Sequence, residues 1–194
     1  MKVAVFNGSP RKGGNIETLL GEALKAIEDS GHEVVRFDLN EMHIRPCQDC
    51  GGCEGTGECV QKDDMAMVRD AIRRSERFIL ASPIFFFSLS AQTKAMIDRC
   101  QAFWCEKYLL KRPIPEGANK RKGLLLLVGG MKKEIGIECG GATAKAFFRT
   151  ISVQEHETVG FLGIDQKGAI CRHETALDDV RSAAQRLVLP VGGA

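Results

Sequence analysis

Short apolar runs alternate along this chain with stretches whose apolar residues recur at helical spacing, and that alternation leaves few folds open. Lys2 to Phe6 reads as a first strand closed by Asn7-Gly8-Ser9-Pro10. A helix is predicted from about Asn15 to Ser30, with Ile16, Leu19, Leu20, Ala23 and Ile27 on one face. Glu33 to Leu39 is a second strand, followed by a cysteine- and glycine-rich stretch from Pro46 to Lys62. Asp63-Asp64 is expected to cap a helix reaching about Ser75, because a short carboxylate accepts the free first-turn N–H groups. Arg77 to Ser82 shows little polar alternation, as in a strand buried on both faces. A long helix is predicted from Ser90 to Leu109, a fourth strand from Lys122 to Val128 and a helix from Ala142 to Val153. A fifth strand, Glu157 to Gly163, and a last helix, Glu174 to Leu187, complete the pattern. Such alternation builds an open parallel sheet wound on both faces with right-handed crossovers. The expected strand order is 2-1-3-4-5, with the cysteine segment inserted after strand 2 and a ligand crevice where strands 1 and 3 diverge.

The 194 residues suit a single domain, 1–194, with one core. A net charge of +2 creates no broad field that would call for nucleic acid or an anionic membrane, so neither is expected as a partner. Lys111-Arg112 and Lys120-Arg121-Lys122 read as a solvated rim. Met1 runs straight into the first strand, which is no signal peptide, and the longest apolar run, Leu124 to Val128, is too short to span a bilayer. A cytoplasmic location is expected, where thiols stay reduced. The 8 cysteines then suggest metal binding or redox work before disulfides.

Strand 1 runs into Gly8-Ser9-Pro10-Arg11-Lys12-Gly13-Gly14-Asn15, and a helix opens at once. Glycines allow a tight turn with several N–H groups pointing inward, and the helix start adds unsatisfied donors and a positive dipole end, so a phosphate can sit there. Ser9 offers a hydroxyl and Arg11 a cation. The pattern is neither a Walker A loop nor a G-x-G-x-x-G fingerprint. Strand 3 ends in Ser82-Pro83-Ile84-Phe85-Phe86-Phe87, whose aromatic faces and amides suit a flat, uncharged ring at the same crevice. Each phenylalanine has core packing as its competing role, since an extended segment cannot point all three one way. Gly129-Gly130 end strand 4 on the same rim, and the loop continuing to Glu138-Cys139-Gly140-Gly141 can close over a ligand edge. Lys94 and Asp98 read as a structural i, i+4 pair.

The Gly8 to Lys12 segment with Gly14-Asn15 resembles the phosphate loop of the flavodoxin-like NADPH-dependent FMN reductase family, and the Ser-Pro-aromatic segment followed by Lys94 and Ile97-Asp98-Arg99 resembles its flavin-contacting loop and next helix. Ile16 stands where that family commonly has Thr or Ser, and phenylalanine where Tyr is common. The resemblance implies noncovalent FMN held by Ser9, Arg11, Lys12, Gly13, Gly14, Asn15, Ile16, Ser82, Pro83, Ile84, Phe85, Phe86, Gly129 and Gly130.

Cys47, Cys50, Cys53 and Cys59 form C-x2-C-x2-C-x5-C amid Gly51, Gly52, Gly55 and Gly57. Two-residue gaps let thiolates converge on one centre. The run is close to the bacterial ferredoxin pattern, though its last gap is longer and Val60 replaces Pro. A four-thiolate zinc site remains an alternative. Together with the phosphate loop, Asp63-Asp64-Met65 and the aromatic loop, this spacing resembles the iron–sulfur flavoproteins of anaerobic prokaryotes over at least Met1 to Arg99. That resemblance implies a [4Fe–4S] cluster on the four cysteines, electron transfer between cluster and FMN, and a homodimer or homotetramer. Cys100 and Cys105, five apart on a helix, point in different directions and carry no expected role, nor do Cys171, the four histidines or Trp104.

Three functions follow as expectations. The first is an FMN-dependent oxidoreductase passing electrons from a donor such as ferredoxin, through the cluster and FMN, to a small-molecule acceptor, with no acid–base residue assigned. The second is an NAD(P)H-dependent FMN or quinone reductase whose cysteine loop binds zinc or stands vacant. The third is a redox-sensing or binding module in which the cofactor is structural.

Overall fold

The structure is a computed structural model and describes residues 1–115 and 120–190. Strands β1 (Lys2–Asn7), β2 (Glu33–Asp38), β3 (Arg77–Phe85), β5 (Lys122–Gly129) and β6 (Glu155–Leu162) run parallel in the order β2-β1-β3-β5-β6. A two-residue strand, β4 (Ser88–Leu89), pairs antiparallel with the end of β3. The expected flavodoxin-like order is thus present, with a short hairpin that the sequence reading did not contain.

Period-2 alternation divides the central strands between two cores. Val3, Val5, Ile79, Leu124 and Leu126 pack with α1 (Asn15–Asp29) and α6 (Ala176–Val188). Their neighbours Ala4, Phe6, Phe78, Leu80, Leu125 and Leu127 face α2 (Met65–Arg74), α3 (Ala91–Arg99) and α5 (Ile135–Thr150). Both faces of the sheet are therefore covered, which is why its strands read as nearly continuous apolar runs. No helix among the described residues is long and apolar enough to cross a membrane.

Several local expectations are corrected. The predicted 90–109 helix is three pieces: α3, a short α4 (Gln101–Trp104) and a π-helical turn, Cys105–Leu109. The break falls at Cys100, where the Phe103 amide tightens onto the Cys100 carbonyl. Helix α5 begins seven residues before the predicted start, so Glu138 to Gly141 are helical and form no closing loop. Glycine's weak helix propensity hid that start, but Gly136 and Gly140 give close contact to Ile84 and Leu127. Of the expected cap pair, Asp63 accepts from the first-turn Met65 amide at 3.2 Å, whereas the Asp64 carboxylate accepts from the His43 amide instead. Arg121 lies 3% exposed, not on a solvated rim. Its guanidinium satisfies the Ile151, Ile72 and Ser75 carbonyls and stacks on Phe78, 4.9 Å from the ring centre.

Candidate functional site

Four loops meet at the carboxyl ends of β1, β3, β5 and β6, on both sides of the point where the winding reverses. Brändén-type crevices form there because neighbouring strands send their connections to opposite faces. Two adjoining cavities fill the space. One is lined by Ser9, Arg11, Gly14, Asn15 and Ile16 together with Pro83, Ile84, Phe85 and Gly130. The other, about 480 Å³, lies between Phe85, Phe86 and Phe87 on one side and Gly129, Gly130 and Met131 on the other. That volume is in the range of about 300–1,000 Å³ usual for small-molecule sites.

At the first cavity, Gly14 starts α1 without any side-chain cap, leaving the first-turn amides to an anion. Ser9 Oγ accepts from the Arg11 amide, 3.3 Å, and Arg11 Nη1 donates to the Asp165 carbonyl, 3.2 Å. Three expected residues stand elsewhere. Lys12 turns outward to an ion pair with Glu41. Gly13 takes a left-handed φ of +62° and gives its amide to the Glu17 carboxylate. Ser82 is fully buried, accepting from the Ser90 amide at 2.9 Å and donating to the Pro83 carbonyl at 2.9 Å. The serine holds the β3–β4 hairpin and does not face the cleft.

That hairpin explains the aromatic loop. Ile84 pairs with Leu89 and Phe85 with Ser88, so Phe86 and Phe87 form a two-residue turn with φ of +48° and +60°. Chain reversal frees all three phenylalanines from the one-face limit of an extended strand, and each is exposed. Lys94 and Asp98 make the expected i, i+4 pair, 2.8 Å, away from the cleft.

The sequence reading missed the loop after β6. Asn15 Nδ2 donates to the Gln166 carbonyl, 2.9 Å, and Asn15 Oδ1 accepts from the Ile170 amide, 3.3 Å. Asn15 therefore fastens this loop over the cavity, where Ile164, Asp165 and Lys167 complete the wall. The turn residues Gly163 and Gly168, both with positive φ, were the available signal at the end of the last strand.

The four-cysteine segment lies between β2 and α2, and Cys47, Cys50, Cys53 and Cys59 line one small cavity with Arg99, Gln101 and Cys105. Among the described residues, no three His, Cys, Asp or Glu side chains are gathered as tightly as a single metal ion requires. The donor set is nonetheless soft thiol throughout, the chemistry of iron–sulfur or zinc centres. Cys100 and Cys105 point in different directions, as expected. The π-helical turn carries the Cys105 Sγ to 3.6 Å from Cys53 Sγ, while Cys100 stays in the core. Burial first, then contact with Cys105, pushes the Cys53 thiol up to about 12. Behind the cavity, Arg99 and Asp63 form a buried ion pair, 2.6 Å, with side chains 1% and 0% exposed. Burial opposes the carboxylate's charge, but Arg99 and the Arg45 and Met65 amides outweigh it and hold Asp63 below the usual range.

Known proteins agree with this picture. An iron–sulfur flavoprotein of Archaeoglobus fulgidus is 43% identical over 99 residues, 51% of this chain and 45% of that protein. Another, from Methanosarcina thermophila, is 32% identical over 132 residues, 68% of this chain and 65% of that protein. The chain thus spans roughly half to two-thirds of these relatives' length. The NAD(P)H:quinone oxidoreductase of Methanothermobacter marburgensis superposes with a TM-score of 0.72 at 18% identity over 96% of both chains, a likeness of fold. The sequence pattern of one family matches residues 1–139, and the chain belongs to that family, the NADPH-dependent FMN reductases.

Proposed function

We propose that the chain is one flavodoxin-like domain, 1–194, acting as an FMN-dependent oxidoreductase in which a [4Fe–4S] centre on Cys47, Cys50, Cys53 and Cys59 exchanges electrons with the flavin. One observation carries the reading: an uncapped helix start and an aromatic cleft adjoin on one rim, while all four loop cysteines line a single cavity. The relatives' printed name, iron–sulfur flavoprotein, supports it. When bound, the cluster supplies single electrons and FMN converts them to two-electron transfers. The chain's own work is positioning. The α1 amides, Ser9 and Arg11 hold the phosphate; Ile84, Phe85, Phe86, Gly129 and Gly130 hold the ring and keep water from one of its faces. A four-iron cluster occupies more space than one ion, so its cysteines stand farther apart than zinc ligands would. Four thiols lining one cavity supply the soft donor set that such a cluster takes. Ferredoxin or NAD(P)H is proposed as donor, a small molecule as acceptor, and a homodimer or homotetramer as the working assembly.

The test is anaerobic purification with counts of iron, sulfide, zinc and flavin. Near-equal iron and sulfide with one FMN per chain is expected. Stoichiometric zinc without sulfide would instead support a plain NAD(P)H-dependent FMN or quinone reductase. At the other site, Arg11→Glu places a negative charge beside the phosphate and is expected to weaken FMN binding at least tenfold in a fluorescence titration. Unchanged affinity would remove the phosphate assignment.

A further inference from the structure

Among the described residues, Arg99 is the one cation in the wall of the cysteine cavity, and it is 2% exposed. Its Nη1 donates to Asp63 Oδ2 at 2.6 Å and to the Arg45 carbonyl at 2.8 Å, and its Nη2 donates to Asp63 Oδ1 at 3.1 Å. These bonds fix the guanidinium from behind. Its Nε is buried without a hydrogen-bond partner. A buried donor left without a partner is costly, so an orphan in a residue of the cavity wall points to an acceptor that the cavity takes. Cys59 lines the same cavity, and after burial, which lowers the guanidinium's pKa, and bonding to Asp63, which raises it, bonding to the Cys59 sulfur raises it further.

We propose that Arg99, braced by Asp63, is the positioning residue of the cysteine centre, donating its Nε–H to a ligand sulfur and raising the centre's reduction potential. A thiolate-ligated cluster is anionic and gains further negative charge when reduced. A fixed cation in a poorly solvated wall therefore stabilises the reduced form more than the oxidised one. Net charge and hydrogen bonds to sulfur are the levers by which proteins set such potentials. Asp63 lies on the far side of the guanidinium, so its opposing charge acts from a greater distance.

The inference rests on the cluster reading above, and metal counts on the wild type separate the two failures. Zinc in place of iron and sulfide overturns both, whereas a loaded cluster leaves the role of Arg99 to be measured. Anaerobic redox titration of the holoprotein, followed by absorbance and electron paramagnetic resonance, then compares wild type with Arg99→Lys and with Asp63→Asn/Arg99→Met. The double variant removes both charges, so no buried carboxylate is left unpaired. It is expected to lose at least tenfold in the cluster's reduction equilibrium, about 59 mV for a one-electron couple. Arg99→Lys should keep much of that difference, and the FMN potential should not move in either. An unchanged cluster potential in the loaded double variant overturns the proposal, as does an equal fall in the flavin and cluster potentials. Loss of the cluster from the double variant alone, with FMN retained and Arg99→Lys still loaded, supports it; loss from both variants overturns it.

Discussion

At the residue scale, the energetics of the Arg99–Asp63 pair decide what substitution can show. Removing one partner strands the other charge in the interior, so Arg99→Met is expected to destabilise the fold by about 3–5 kcal/mol in urea unfolding, and Asp63→Asn/Arg99→Met by much less. The sign of the pH dependence follows from the lowered Asp63 pKa. A carboxyl whose folded pKa lies below its unfolded value, about 3.9, contributes fully above that value and loses its contribution as pH falls through the lower folded pKa. Acid unfolding should therefore be less steep in Asp63→Asn than in wild type between roughly pH 4 and pH 2. Equal slopes would show that the pair adds nothing to acid stability. Both residues were visible in the sequence, Asp63 as an expected cap and Arg99 as part of a helix. Their union across 36 positions was not.

At the scale of elements, two irregular turns bring side chains to the aromatic cleft and to the cysteine cavity. The Phe86-Phe87 turn places two bulky residues in left-handed backbone, where Asn-Gly is the usual solution. Such conformations cost about 1–2 kcal/mol per residue, and they persist here where aromatic faces meet the cleft. Phe86→Asn/Phe87→Gly is expected to stabilise the chain by about 1–2 kcal/mol in urea unfolding while raising the Kd for FMN. A variant no more stable than wild type would show the turn to be unstrained. The π-helical turn does comparable work by carrying Cys105 to Cys53. Because the loop already holds four thiols, Cys105→Ala should leave the iron count of anaerobic protein unchanged, whereas Cys53→Ala should lower it.

At the scale of the whole molecule, the cleft depends on contacts between distant parts of the chain. A Cβ at Gly8 would lie 1.7 Å from Thr93 Oγ1 at the start of α3, and Ser90 Oγ donates to the Gly8 carbonyl at 2.7 Å. The loop between β1 and α1 is thus seated directly on the helix that follows the aromatic hairpin. Gly8→Ala is expected to cost about 1–3 kcal/mol and to weaken FMN binding, with partial recovery of both in Gly8→Ala/Thr93→Ala. Thermal unfolding and flavin titration check the two effects; wild-type values for Gly8→Ala would show that the loop can shift freely.

The order of strands and helices, the crevice between β1 and β3, the glycine-rich turn from β1 into α1 and the cysteine segment were all legible in the sequence. Each is a local matter: apolar period, glycine placement and cysteine spacing act between residues a few positions apart. The tertiary structure alone decided that Asn15 fastens the loop after β6, that Cys105 joins the cysteine cavity, and that Arg121 is buried under three carbonyls. It also decided that Ser82 braces a hairpin and that Arg99 backs the thiols. These roles depend on which side chain fills which gap once the helices cover the sheet, and close packing across 8 to 155 positions leaves no periodic trace in the sequence.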